Sequence, residues 1–158
     1  MKPLTTWLKE YGESHQNPIN RAIHKFAVPA ITFSLLGLLW TLPRPEVFIQ
    51  FSEDFGNWLN WATIFAFMCL IFYLRLSVRY AFIMLIVCGA MLGVQKTWLA
   101  QTEYQALANF IIFVVAWVFQ FIGHKIEGKK PSFFQDIQFL LIGPIWVIHS
   151  LQKNSRKL

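Results

Sequence analysis

Long apolar runs alternate with short polar segments along most of the chain. A helix that crosses a bilayer needs roughly 20 mostly apolar residues, with about 17 as the lower limit. The runs that meet this limit predict four transmembrane helices, at residues 26–42, 58–74, 80–100 and 106–122. Residues 1–25 are polar and predict an N-terminal helical segment outside the apolar part of the protein.

A fifth apolar run, residues 133–151, differs from the other four. Its first half carries Gln135, Asp136 and Gln138, and the pair Gly143-Pro144 lies in its middle. Because proline removes a backbone donor and bends a helix, this run predicts a broken helix that is re-entrant or interfacial. We do not expect it to cross the membrane as a regular span.

Composition supports a membrane protein. Charged residues make up 14% of the chain and hydrophobic residues 56%, whereas soluble domains contain about 25% charged residues. We therefore predict an all-α integral membrane protein whose 158 residues form one domain. The net charge of +6 does not indicate nucleic acid as a partner. The basic residues lie between or beyond the apolar runs, where membrane topology and anionic lipid account for them.

The distribution of Lys and Arg predicts the orientation. Basic residues concentrate in the N-terminal segment and in the loops after the second and fourth runs, which the positive-inside rule assigns to the cytoplasm. The C-terminal tail is also basic, so we expect it on the same side. Within the third run, the sequence GAMLG from Gly89 to Gly93 matches a small-xxx-small pattern and predicts close helix packing.

All four histidines fall at the predicted cytoplasmic face. His15 and His24 precede the first run, His124 follows the fourth, and His149 lies near the end of the fifth. One interpretation is that these histidines lie at the membrane interface, because the amphipathic imidazole ring is well accommodated at the depth of the lipid headgroups. A metal site is the other interpretation. Neutral imidazole suits Zn, Cu, Fe or Ni, and the residue types alone do not choose among these metals.

The residues near the histidines predict local geometry. Asn17-Pro18 predicts a helix start, since Asn caps helices and Pro favours the first helical position. Asn20 and His24 are four residues apart and share one face of that helix. His124 and Glu127 are three apart, a spacing that suits either two metal ligands or one ligand and the acceptor that orients it.

Two motifs carry a resemblance to a known family. The first, Y-x3-H-x4-N-x3-H-x4-P, covers residues 11–29, and the second, W-x2-Q-F-x-G-H-x2-E-x3-P, covers residues 117–131. As a pair they are similar to the family of fungal endoplasmic-reticulum 2-hydroxy-fatty-acid dioxygenases and their bacterial relatives. The resemblance extends over most of the chain.

This resemblance implies an Fe(II)-dependent membrane enzyme of fatty acid α-oxidation. It would convert a long-chain 2-hydroxy fatty acid and O2 into the acid one carbon shorter. We expect the protein in the bacterial inner membrane, or in the endoplasmic reticulum if it is eukaryotic, and the distribution of Lys and Arg predicts that its active site faces the cytoplasm. A 2-hydroxy acid can chelate a metal through its carboxylate and hydroxyl, so no organic cofactor is required.

The matching positions imply His15, His24 and His124 as iron ligands, and the predicted side of the membrane adds His149. The candidate catalytic or orienting residues are Tyr11, Asn20, Gln120 and Glu127. Arg21 and Lys125 are candidates for steering the substrate carboxylate, although the positive-inside rule alone also explains their charge.

Two other functions fit the same sequence. One is a non-enzymatic lipid-binding membrane bundle whose histidines are interfacial. The other is a zinc-dependent membrane lipid hydrolase, since imidazole also suits zinc. Metal analysis separates both from the iron dioxygenase.

Overall fold

The computed structural model describes residues 2–55, 57–99, 102–128 and 133–155. Within these ranges the regular structure is helical, so the predicted all-α class is confirmed. The helices are α1 (Leu4–Glu13), α2 (Pro18–Thr41), α3 (Glu46–Phe55), α4 (Trp61–Leu76), α5 (Val78–Val94), α6 (Gln105–Glu127) and α7 (Phe133–Ser155). The chain forms two compact units. One consists of Met1–Thr32 with Val114–Leu158, and the other is Phe33–Phe113.

Three of the helices described are long and apolar enough to cross a membrane: Pro18–Thr41, Val78–Thr97 and Gln105–Glu127. They correspond to the predicted spans 26–42, 80–100 and 106–122. Large apolar side chains on α6, such as Val118, Phe121 and Ile122, are exposed. An exposed apolar surface on a long helix is consistent with lipid contact. The predicted orientation stays a prediction.

The predicted span 58–74 corresponds to α4, which has 16 residues and is shorter than the other three candidates. Its start is fixed by Asn60, whose side-chain oxygen accepts hydrogen bonds from the backbone N–H groups of Ala62 and Thr63 at 2.9 and 3.2 Å. This cap leaves Trp58 and Leu59 outside the helix although they are apolar. A fourth membrane crossing therefore stays a prediction.

Helix α2 begins at Pro18, as the sequence predicts. Asn17 Oδ1 accepts from the backbone N–H of Ile19 at 2.9 Å and of Asn20 at 3.4 Å. These bonds satisfy two donors that have no partner within the first turn of a helix. The start of α2 in turn fixes the direction in which Asn20 and His24 face.

The predicted break in 133–151 is wrong, because α7 continues through Gly143-Pro144. Ile142, Ile145 and Trp146, on either side of this pair, are buried. Burial of the flanking residues offsets the backbone hydrogen bond that proline removes. Whether α7 is re-entrant or interfacial stays a prediction.

The end of the third run forms a buried amide cluster in the unit Phe33–Phe113. Gln95 begins a π-helix, Gln95–Leu99. The Gln95 side chain pairs reciprocally with that of Asn109, at 2.8 and 3.1 Å, and both residues are fully buried. Gln95 Nε2 also donates to the Phe33 carbonyl at 3.2 Å. This cluster links α2, the π-helix and α6.

The close helix contact predicted for Gly89 and Gly93 is not found in the described part of the chain. A Cβ added at either glycine would meet nothing within 4 Å. Helix α5 buries a different face, which carries Ala81, Met84 and Cys88. The two glycines therefore lie away from the core of this unit.

Candidate metal site

Three histidines from separate segments converge in the unit formed by residues 1–32 and 114–158. His15 lies in the linker between α1 and α2, His24 lies in α2, and His124 lies near the end of α6. The ring centroid of His15 is 4.2 Å from that of His24 and 5.5 Å from that of His124, and the last two are 4.9 Å apart. One ring nitrogen from each lies within 4.8 Å of the others, so the three imidazoles could hold a metal ion.

Hydrogen bonds set the tautomers of two of these rings. His15 Nδ1 lies 2.6 Å from the carbonyl oxygen of Tyr11, and His24 Nδ1 lies 3.0 Å from that of Asn20. A carbonyl oxygen only accepts, so each Nδ1 carries the proton and each Nε2 keeps its lone pair. Both Nε2 atoms are buried without a hydrogen-bond partner among the described residues. Because buried polar atoms are nearly always paired, two unpaired nitrogens in one cluster fit a metal ion that accepts both lone pairs.

The protonation state of His15 also suits a metal ligand. The pKa of His15 is lowered to about 3, mainly by burial and also by the neighbouring His24. The imidazole is therefore neutral at neutral pH, which is the form that binds metals.

Aromatic side chains surround His15. The Tyr11 ring stacks on the imidazole with a centroid distance of 4.2 Å, and Trp146 of α7 lies 5.2 Å from it. Phe139 of α7 packs edge-to-face on Tyr11 at 5.2 Å. The sequence reasoning identified Tyr11 but missed Phe139 and Trp146. Their spacing of seven residues places them on one face of a continuous helix. Because a broken helix was expected here, this shared face was not predicted.

Glu127 joins the linker before α2 to the end of α6. Its carboxylate accepts from the backbone N–H of Gln16 at 2.7 Å and of Asn17 at 2.9 Å. It also accepts from Asn20 Nδ2 at 3.0 Å. Of the two roles open for Glu127, these contacts favour that of an orienting residue. Glu127 fixes the segment that carries His15 against the helix that carries His124.

Asn20 and Gln120 are both buried beside His24. Asn20 has no exposed surface, and its backbone carbonyl accepts from His24 as described above. The Gln120 side chain lies close enough to the His24 ring to interact with it through a hydrogen bond, although His24 Nε2 makes no hydrogen bond of standard length and angle among the described residues. Gly123 allows α6 to approach this region closely, because a Cβ there would overlap Asn20 Oδ1 and lie 3.3 Å from His24 Cε1.

The other predicted site residues are not buried with the cluster. His149 is exposed and is not one of the three histidines brought together, although it was predicted as a ligand. It lies one turn further along α7 than Trp146, whose ring contacts that of His15. Arg21 and Lys125 are also exposed. Arg21 is the chain neighbour of the buried Asn20, and Lys125 is the chain neighbour of the half-buried His124.

Comparison with protein families identifies the family of the chain. A family model described as "2-hydroxy-palmitic acid dioxygenase Mpo1-like" matches residues 1–155. No curated protein and no solved structure matches the chain. The match spans both motifs that carry the resemblance and all three clustered histidines. The chain belongs to the 2-hydroxy-palmitic acid dioxygenase Mpo1-like family.

Proposed function

We propose that this protein is an Fe(II)-dependent dioxygenase of fatty acid α-oxidation. Its substrates are a long-chain 2-hydroxy fatty acid and O2, and its product is the acid one carbon shorter. The description of the family names a 2-hydroxy-palmitic acid dioxygenase, and the three clustered histidines could hold a metal. We assign His15, His24 and His124 as the ligands.

The pair of unpaired Nε2 atoms carries this proposal. Two neutral imidazoles, each with its tautomer fixed by a backbone carbonyl, direct lone pairs into a buried space. An interfacial histidine in a lipid-binding bundle has no need of such an arrangement, because its ring nitrogens can bond to water. When bound, the metal would supply open positions at which a chelating 2-hydroxy acid and O2 can meet.

The position of the cluster also suits a lipid substrate. His24 lies in the second turn of α2 and His124 in the last turn of α6, and Glu127 joins these two helix ends. Both helices are candidate membrane spans. A fatty acid could therefore place its polar head at the cluster while its acyl chain extends along apolar helices. Arg21 and Lys125, being exposed, would attract the carboxylate on its way in rather than hold it at the metal.

The proposed reaction needs no organic cofactor. Conversion of R–CH(OH)–COOH and O2 into R–COOH, CO2 and water balances all atoms. The two substrate carbons lose the four electrons that O2 gains, so neither a nicotinamide nor a flavin is required. The chain's own task is to bind the metal, orient the substrate and keep the ligating nitrogens deprotonated.

Metal analysis tests the proposal in purified protein. We expect about one iron per chain, lost in His24→Ala and in His124→Ala and retained in His149→Ala, which serves as the matched control. Zinc retained after anaerobic purification with added iron would favour the hydrolase. Absence of any transition metal would favour the lipid-binding bundle.

Product analysis tests the substrate separately. Incubation of iron-loaded protein with 2-hydroxypalmitate under air should yield the fatty acid one carbon shorter. Iron-loaded protein that leaves 2-hydroxypalmitate unchanged would contradict the proposed substrate, while leaving the metal site supported.

A further inference from the structure

Asn20 presents an unpaired acceptor beside the histidine cluster. Its side chain is fully buried, and its Oδ1 has no hydrogen-bond partner among the described residues. The hydrogen bonds of the Asn20 Nδ2 group fix the orientation of the side-chain amide. Nδ2 lies 3.0 Å from Glu127 Oε2 and 3.3 Å from the Ser14 carbonyl oxygen. Both neighbours are acceptors, so a flipped amide would place oxygen against oxygen.

Oδ1 lies close to the His24 ring. A Cβ at Gly123 would overlap Asn20 Oδ1 and lie 3.3 Å from His24 Cε1, so both atoms lie against Gly123. Cε1 lies between the two ring nitrogens, one of which, Nε2, is unpaired. The backbone carbonyl of Asn20 also accepts the Nδ1 proton of His24. One residue thus fixes the ligand ring and places a neutral oxygen beside it.

We propose that Asn20 Oδ1 accepts a hydrogen bond from a hydroxyl group bound at the histidine cluster. The donor is either the 2-hydroxyl of the substrate or a water molecule at the metal. This inference rests on the proposed function and adds a specificity-determining residue to it. An amide oxygen attracts an O–H donor and not a carboxylate. It would distinguish a 2-hydroxy acid from the unsubstituted acid, which would leave Oδ1 unpaired.

Packing against Gly123 is the competing explanation for Oδ1. A Cα–H group is a weak donor, worth about half of an N–H donor. In that case Asn20 would only hold α2 against α6, and its removal would not change the relative affinity for two ligands that differ by one hydroxyl.

The test compares 2-hydroxypalmitate with palmitate in anaerobic, iron-loaded protein. Equilibrium binding of both acids and retention of iron against a chelator are measured for the wild type and for Asn20→Ala. Asn20→Leu, which keeps the side-chain size, is the second variant if Asn20→Ala does not fold. Thermal unfolding confirms that each variant tested is folded.

If the substrate hydroxyl is the donor, the wild type prefers 2-hydroxypalmitate, partly through chelation of the metal and partly through Asn20. The variant then loses roughly tenfold of this preference and keeps the part that chelation supplies. Glu127→Gln, which weakens the same Asn20–Glu127 contact, is the matched control and should keep the full preference. If a metal-bound water is the donor, iron retention in the Asn20 variant falls below that of Glu127→Gln and the two acids lose affinity equally. A folded variant with the wild-type preference and with iron retention no lower than that of Glu127→Gln overturns the inference. A wild type that does not prefer the hydroxy acid contradicts the proposed substrate instead, and iron retention then decides the role of Asn20.

Discussion

The imidazole of His15 lies parallel to the ring of Tyr11, with 4.2 Å between the centroids and 4° between the planes. The carbonyl of the same tyrosine accepts the Nδ1 proton of that imidazole at 2.6 Å. Tyr11 therefore determines both the plane and the tautomer of a proposed metal ligand. The two effects come from different parts of the residue, so substitution of the side chain separates them.

Tyr11→Ala should remove the stacked ring while keeping the carbonyl. Truncation of a buried aromatic side chain costs about 3–5 kcal/mol in the free energy of unfolding, and iron retention should fall because the His15 ring is no longer held in its plane. Tyr11→Phe keeps the stacking and should lose much less of both. Tyr104→Ala, at an exposed tyrosine, is the matched control. Equal losses in Tyr11→Ala and Tyr104→Ala would contradict the role assigned to the ring.

Gly123→Ala should disrupt the site because its methyl group overlaps Asn20 Oδ1. We expect lower iron retention and a lower unfolding temperature, since either α6 or the Asn20 side chain must shift. Gly89→Ala meets no atom within 4 Å, and a Gly-to-Ala change within a helix stabilises by roughly 0.5–1 kcal/mol. The two variants should therefore change the unfolding temperature in opposite directions. A stabilising effect of Gly123→Ala would show that α6 does not approach Asn20 closely.

Glu127→Gln should loosen the linker that carries His15. Three donors face the carboxylate, and a glutamine amide would turn an N–H group toward at least one of them. Because the Gln16 contact is exposed and the Asn17 and Asn20 contacts are part-buried, we expect a modestly lower unfolding temperature, and iron retention should fall as well. Glu103→Gln, at an exposed carboxylate, serves as the control. Indistinguishable unfolding and iron retention in the two variants would refute this function of Glu127.

Acid should destabilise the metal-free protein through His15. Burial lowers the pKa of His15 to about 3 in the folded protein, against about 6.5 in an unfolded chain. Between these values the unfolded chain binds a proton that the folded chain does not. Stability is therefore fully present above pH ~6.5 and is lost as the pH falls toward 3, by at most about 1.4 kcal/mol per pH unit from this group.

The measurement for His15 is thermal unfolding of metal-free protein over a pH series from neutral to mildly acidic. His15→Gln lacks the titrating ring, so its unfolding temperature should fall less steeply with pH than that of the wild type. Parallel pH profiles for the two proteins would show that His15 does not contribute.

The amide cluster of the other unit should contribute to stability. Asn109→Ala removes the reciprocal partner of Gln95 and leaves buried amide groups unpaired, at a cost of about 1–3 kcal/mol. Gly37→Ala should act similarly, because its Cβ would overlap the Asn109 side chain. Gly93→Ala, with nothing within 4 Å, should not destabilise. Wild-type unfolding temperatures in Asn109→Ala and Gly37→Ala would show that the cluster is not needed for stability.

Local sequence rules predict the parts of the site that depend on local geometry. Asn17-Pro18 predicts the start of α2, and helical spacing places Asn20 and His24 on one face. The same rules fail where tertiary packing decides. The cap at Asn60, and not the apolar run, sets the start of α4. His149 shares a helical face with Trp146 but lies three residues further along, about 4.5 Å at the rise of an α-helix. The helical face on which a residue lies therefore does not predict that Trp146, rather than His149, packs against His15.

The contacts of Glu127 with the linker also determine when the site can form. Its bond to Gln16 connects residues 111 positions apart. His15 and His24 are synthesised long before the helix that completes their cluster, since the contacts of Glu127 with Gln16, Asn17 and Asn20 join residues 107 to 111 positions apart. A growing chain thus carries two of the proposed ligands without the third. If iron binds as proposed, its loading at all three histidines follows the synthesis of α6.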